Sequence, residues 1–201
     1  MRRVASIAAL EALYEKPGEA ATVKVAPRLT PAYRRWIERS RFCVLTTVGP
    51  EGVDGSPRGD DGPVAAILDE GTLALPDWRG NQRLDSLRNI VRDGRAALMF
   101  LVPGSNNVIR VNGTAFLTDD EGLRARFARK GLIPATVVVL EIAEVYSQCA
   151  RALLRARLWS SGDESDGLPS VGEMLEEITK GGIDGAFYDS EWPGRAAQTM
   201  W

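Results

Sequence analysis

Residues 77–90, "DWRGNQRLDSLRNI", bring a glycine, a capping amide, a guanidinium and a hydroxyl close together in Gly80, Asn81, Arg83 and Ser86. Gly80 allows a sharp turn and Asn81 is a favoured N-cap. The spacing then predicts a helix from Gln82 to about Val91, with Leu84, Leu87, Ile90 and Val91 on its packed face. A helix N-terminus offers free N–H groups and a partial positive charge. Arg83 adds a planar donor fork and Ser86 a hydroxyl, so the chemistry on offer is the binding of an anion, phosphate above all. A capped surface helix with solvated arginines needs the same residues, and spacing alone does not decide between the two. Arg58 in "SPRGDDG", residues 56–62, is poised between the same alternatives, a plain turn or an anion contact. In "IRVNGTA", Arg110, Asn112 and Thr114 alternate with Ile109, Val111 and Ala115, which puts a polar row on one sheet face, toward either a ligand or water.

The composition narrows the chemistry. The chain has no histidine, which removes Ser-His-Asp and Cys-His catalysis, imidazole acid–base work and His-bearing zinc sites. An enzyme built this way needs a cofactor to carry the difficult step. Cys43 and Cys149 lack metal or redox spacing and read as buried free thiols of a reducing compartment. With 25 basic and 27 acidic residues the net charge is -2, too little basic field for general nucleic-acid binding. "MRRVASIAALEALYEKP" suits an amphipathic helix over about 4–15 better than a signal segment, because Glu11 interrupts its apolar stretch. No stretch reaches the length of a membrane span. The expectation is a cytoplasmic protein without nucleic-acid or membrane partners.

These residues must be positioned by a mainly β fold with helices, an α+β protein. Thr30 and Pro31 open a helix at "LTPAYRRWIERS". Strands are expected in "FCVLTTVG", in part of "PEGVDGSPRG", in "GPVAAILDEGTLALPD" on either side of Asp69-Glu70-Gly71, in "AALMFLVPG", in "NVIRVNGTAFLTD" and in "ATVVVLEIAEVY". A charged helix, "DEGLRARFARKG", precedes the last of these. Short strands broken by Gly, Pro and Asp turns indicate an antiparallel barrel or sandwich rather than a βαβ sheet. Residues 1–201 read as one domain, with an N-terminal helical extension over 1–40. A C-terminal helical and loop extension covers 147–201, containing "QCARALLRARLW", a helix in "LPSVGEMLEEITK" and an aromatic tail ending in Trp201.

In order, "FCVLTTVGPEG", "SPRGD", "LALPDWRGNQRLDSLRNI", "AALMFLVPG" and "IRVNGTA" resemble the pyridoxamine 5'-phosphate oxidase-related FMN-binding proteins. The likeness is to the branch with an SPRGD loop and a GNxRxDSLxNI helix, and it runs from about Phe42 to Trp159. It implies an FMN-binding split β-barrel of antiparallel Greek-key type, a homodimer with FMN at the subunit interface. By position, Arg58, Asn81, Arg83 and Ser86 would hold the FMN phosphate and ribityl chain. Gly59 and Asp60 would line the same loop, and the backbone near Gln82 and Leu84 would approach the cofactor. Arg110 would touch the flavin or the partner chain, and Cys149, Arg151 and Trp159 would close the pocket. Trp78 and Trp159 are candidates for ligand stacking, and Tyr146, Asp60 and Arg110 for acid–base roles. The Arg-rich, His-bearing C-terminal segment of the vitamin B6 oxidases themselves has no counterpart, so the resemblance implies their cofactor site more than their reaction. The function it implies is an FMN-dependent oxidoreductase acting on a small molecule. The alternatives are a flavin-storing or flavin-sensing protein without turnover and a deazaflavin-binding reductase.

Overall fold

The computed structural model describes residues 1–200; Trp201 lies outside the described residues. The chain begins with two short helices, α1 (Ile7–Glu11) and α2 (Glu19–Val23), neither of which buries a residue. The first is shorter than the expected span of about 4–15. Its apolar residues Ile7 and Leu10 remain exposed, so no packed face extends it beyond its Ser6 cap. Helix α3 (Pro31–Arg39) follows the sequence reading, with Thr30 accepting from the Tyr33 amide and Pro31 in the first turn. Its Ile37 is fully buried.

Strand β1 (Phe42–Gly49) runs into β2 (Gly52–Gly59), and β3 (Ala66–Asp69) forms a hairpin with β4 (Thr72–Asp77) around Glu70 and Gly71. Helix α4 (Asp85–Arg92) then leads to β5 (Arg95–Leu101) and β6 (Val108–Thr118). The charged segment after β6 makes only a single short helix, α5 (Glu121–Ala125), before β7 (Thr136–Gln148). Helices α6 (Arg151–Ala156), α7 (Val171–Thr179) and α8 (Gly185–Thr199) complete the chain. The expected aromatic tail is therefore largely helical. Asp184 caps α8 by accepting from the Phe187 amide, and Pro193 sits inside it.

All strand pairs are antiparallel, in the order β2-β1-β5-β6-β7-β4-β3. This is the split antiparallel barrel of an α+β protein. Leu45, Leu73, Leu98, Phe100, Ile109, Val111, Leu140 and Val145 come from β1, β4, β5, β6 and β7 and fill one core. Burying those side chains supplies the main drive for folding. A bulge at Asn112/Gly113 bends β6 against β7, and it requires glycine: a Cβ at Gly113 would lie 1.9 Å from the Glu141 carbonyl oxygen. Strands β2 and β4 are not backbone neighbours, yet side chains join them, and a cleft opens at that split. Of the two thiols only Cys43 is buried; Cys149, just past the end of β7, is exposed, contrary to the sequence reading.

Candidate functional site

Strand β2 alternates from Val53 to Gly59. Asp54, Ser56 and Arg58 are half-buried while Val53, Gly55 and Pro57 are exposed, so the three polar side chains share a face. That face looks into an open cleft of about 2100 Å³, walled by β2, the end of β4, the 78–84 loop, α4 and residues 132–136, with Gln198 and Met200 from the C-terminal end at its margin. Arg58 crosses the split and pairs with Asp77 at the end of β4, Nη1 to Oδ1 at 2.5 Å, with side chains only 20% and 15% exposed. Its charge is thus answered by a carboxylate. The Arg58 Nε is buried without a partner, and so is the hydroxyl of Thr136, the residue opposite Asp77 in the β4–β7 register. Arg58 also acts on its β1 neighbour Cys43: burial pushes that thiol up to about 12, and the guanidinium pulls weakly the other way.

Asp60 is fully engaged in structure. It accepts from the Gly62 amide and from Trp78 Nε1 at 3.3 Å, and its Oδ1 lies 2.6 Å from Arg129 Nη2. Its side chain is 3% exposed. Arg129 also reaches Asp61, and Arg124 Nε donates to the Pro134 carbonyl. These contacts fix the apolar Leu132–Ile133–Pro134 lip of the cleft.

The anion-suited segment has a geometry the sequence pattern did not give. The helix starts at Asp85, three residues later than expected, and Asn81 is not its N-cap. Instead Asn81 Oδ1 accepts from the Arg83 amide at 3.1 Å, closing a turn in which Gln82 and Leu84 take left-handed conformations, φ 63° and 62°. Leu84 stands in the N-cap position with no side-chain hydrogen bond to the helix. The first turn of α4 therefore presents amides uncapped by any side chain at the cleft wall. A backbone that alternates hands in this way forms a concavity suited to an anion. Arg83 is exposed and its Nε donates to Asp85 at 2.8 Å, while Ser86 is buried and donates to Asp54 of β2.

The packed face of α4 is Ser86, Leu87, Asn89 and Ile90, so of the expected Leu84, Leu87, Ile90 and Val91 only Leu87 and Ile90 are buried on it. Leu84 precedes the helix, and Val91 is 74% exposed. Two polar residues are buried because polar partners meet them: Asp54 takes Ser86, and Thr47 accepts from Asn89 Nδ2 at 3.2 Å.

Arg58, Gly59, Asp60, Asn81, Gln82, Arg83, Leu84 and Ser86 thus line one cleft. Arg110 does not join them within this chain. Its guanidinium sits 5.4 Å from the centre of the Tyr146 ring, and Nη1 reaches Gln148 at 3.4 Å, at the other end of β6. Trp159 lies apart too, donating to the Ser105 carbonyl at 2.8 Å in the β5–β6 turn. Asp54, Asp77 and Thr136 were missed as site residues. The period-two spacing of Asp54, Ser56 and Arg58 was the available signal for the first; the other two depend on the β4–β7 pairing. Among the described residues no His/Cys/Asp/Glu group could hold a metal, and no helix is long and apolar enough to cross a membrane.

A family model described as pyridoxamine 5'-phosphate oxidase matches residues 29–149. Among solved structures, HupZ of Group A Streptococcus is 16% identical with a TM-score of 0.50, covering 59% of this chain and 93% of its own. A candidate pyridoxamine 5'-phosphate oxidase of Lactobacillus delbrueckii is 22% identical with a TM-score of 0.48, covering 60% and 95%. An FMN-binding protein of Syntrophomonas wolfei is 15% identical with a TM-score of 0.41, covering 58% and 88%. The HupZ likeness speaks to the fold alone. No curated protein matches.

Proposed function

The chain belongs to the pyridoxamine 5'-phosphate oxidase family, and on that premise we propose that the cleft binds a flavin, FMN, for an oxidoreductase reaction on a small molecule. The observation that carries this reading is the loop at 81–84. Two left-handed residues and a helix start without a side-chain cap lie in the cleft lining, together with Arg83. Such a terminus suits a phosphate. The residues present fit the rest of the group as well. Arg58 Nε and the Thr136 hydroxyl are buried polar atoms lacking partners, and Trp78, Leu132 and Ile133 offer apolar surface to a ring.

When bound, the flavin supplies hydride or electron transfer, and the protein supplies anchoring, orientation and shielding from water. Asn81 sets the turn that opens the amides, and Arg83 adds charge at the cleft rim. Asp60, through Trp78 and Arg129, keeps the lip in place. At about 2100 Å³ the cleft is wider than a pocket that encloses a small ligand. This supports a homodimer in which a second copy covers the ring, and Arg110 is then available to the partner's site.

The test is the absorbance spectrum of the purified protein, followed by FMN titration of flavin-stripped material. Bound flavin with an FMN dissociation constant in the micromolar range or tighter is expected; no binding refutes the reading. Bleaching by NAD(P)H and reoxidation by oxygen, a quinone or a nitro compound is expected of the oxidoreductase. A flavin that no reductant class bleaches would make the protein a binder without turnover.

A further inference from the structure

We propose that the α7–α8 hairpin is a docking arm that seats on helix α6 of a second copy of this chain, two copies exchanging arms reciprocally. The inference adds an interface to the homodimer of the reading above and does not depend on the flavin. The family model ends at residue 149, so the arm and α6 both lie outside the matched barrel.

The arm is held rigidly. Ser170 and Glu173 close a capping box at the start of α7. Asp189 of α8 accepts from the Ser170 hydroxyl and, at 2.9 Å, from the Gly172 amide; Glu176 accepts from the Gly185 amide at 3.3 Å. The two helices cross at Gly172 and Gly185, where a Cβ on Gly172 would lie 2.1 Å from the Gly185 carbonyl oxygen. Those two glycines are the only residues that α7 and α8 bury. Val171, Met174 and Ile178 recur at helical spacing on α7, yet they are 53%, 42% and 78% exposed. Two helices that bury no side chain gain too little to stay folded alone, so another surface must receive that stripe.

Charge selects the surface. Residues 160–201 carry nine acidic and two basic side chains, whereas residues 1–159 carry 18 and 23. On α7, Glu173 and Glu177 border the stripe, one residue before Met174 and Ile178. Helix α6 offers the complement: Arg151, Leu154 and Arg155 share one side at i, i+3 and i+4, all exposed, and the exposed Leu158 follows. Arg151, Arg155 and Glu177 make no ion pair among the described residues. Both faces stand exposed in one chain, so the arm does not cover its own α6. A second copy joins the acidic, apolar face to the basic, apolar one twice about a two-fold axis.

The experiment places Leu154→Cys and Met174→Cys together in the full chain, with Cys149→Ser removing the exposed natural thiol. Mild oxidation is expected to give a covalent dimer containing a 154–174 disulfide, identified by peptide mass spectrometry. Arg155→Glu or Glu177→Arg alone should slow this cross-linking about two- to fivefold at low salt, and the two together should restore it. A 154–174 disulfide in a monomer overturns the proposal, as does its absence, or a charge swap that restores nothing. Sedimentation of the unsubstituted chain separates the two readings. A dimer whose doubly substituted form lacks the 154–174 link overturns the arm exchange and leaves the homodimer standing, whereas a monomer overturns both.

Discussion

Replacing Gly49 by alanine tests whether α4, and with it the anion-suited loop, is positioned by its docking on β1. A Cβ at residue 49 would stand 2.2 Å from Asn89 Oδ1 and 2.9 Å from Asn89 Cγ. The nearer of these is more than about 1 Å inside van der Waals contact, so one partner must move. Asn89 is 7% exposed and donates to Thr47, itself 2% exposed, which leaves the side chain little room to swing without losing that bond. Overpacking of a filled site costs about 1–3 kcal/mol. Stranding a buried amide and hydroxyl costs about 1–3 kcal/mol more. Together Gly49→Ala is expected to lose about 2–6 kcal/mol, a large share of an ordinary domain's stability. Urea denaturation followed by far-ultraviolet circular dichroism measures the loss, and FMN titration of the folded fraction reports whether the α4 terminus has moved. Asn89→Ala removes both the clash and the hydrogen bond, so Gly49→Ala should add little in that background. A single substitution that costs less than about 0.5 kcal/mol, or one whose cost is undiminished beside Asn89→Ala, would refute the reasoning.

Arg83→Ala is expected to weaken FMN binding by only about two- to fivefold, because its side chain is 75% exposed and already paired with Asp85. The effect should shrink further at high salt, and a loss beyond fiftyfold would mean that Arg83 turns inward on binding. Asp60→Asn breaks a contact whose carboxylate is 3% exposed. It should cost about 2 kcal/mol or more in urea and increase proteolysis within residues 129–135. The thiols should separate cleanly: at pH 8 the exposed Cys149 reacts with a disulfide reagent in seconds, and Cys43 only after denaturation. Burial raises Cys43 in the folded state from its ordinary value of 9.0 to about 12. The unfolded chain therefore releases that proton first, and folding stability should fall as pH rises from about 9 toward 12. Cys43→Ala should flatten that decline, and an unaltered pH profile would contradict the assignment.

The strands and the barrel were legible because their signals are local. The short apolar, Thr- and Val-bearing run "FCVLTTVG", the alternation in "NVIRVNGTAFLTD" and the Asp69-Glu70-Gly71 turn mark β1, β6 and the β3–β4 hairpin with boundaries close to those observed. Thr30 with Pro31 marks α3 for the same reason. The short α1 shows the limit of such signals: an amphipathic pattern becomes a long helix only when a surface is there to receive its apolar face. The aromatic tail shows the converse: read only as a tail, it forms a helix that a cap at Asp184 and packing on α7 sustain despite Pro193.

Most of the residues singled out in the sequence line one cleft, and the structure gives several of them partners that the pattern did not indicate. Asn81 reads as an N-cap by propensity, but its amide closes a two-residue turn instead, and the left-handed Gln82 and Leu84 delay the helix to Asp85. Neither residue type announces that conformation, since it is strained for a non-glycine and must be enforced by its surroundings. Arg58 looks like a free cation in "SPRGD" because Asp77 is remote in sequence; only closure of the sheet brings β2 and β4 together. Ser86 likewise seems available until Asp54 arrives from β2. For Arg58 and Ser86 the cause is a carboxylate delivered by tertiary structure; for Asn81 it is a local turn closed with the Arg83 amide. The consequence is chemical: Arg58 reaches the cleft already paired with a carboxylate, and the 81–84 turn lines the same cleft with backbone amides that no residue letter records.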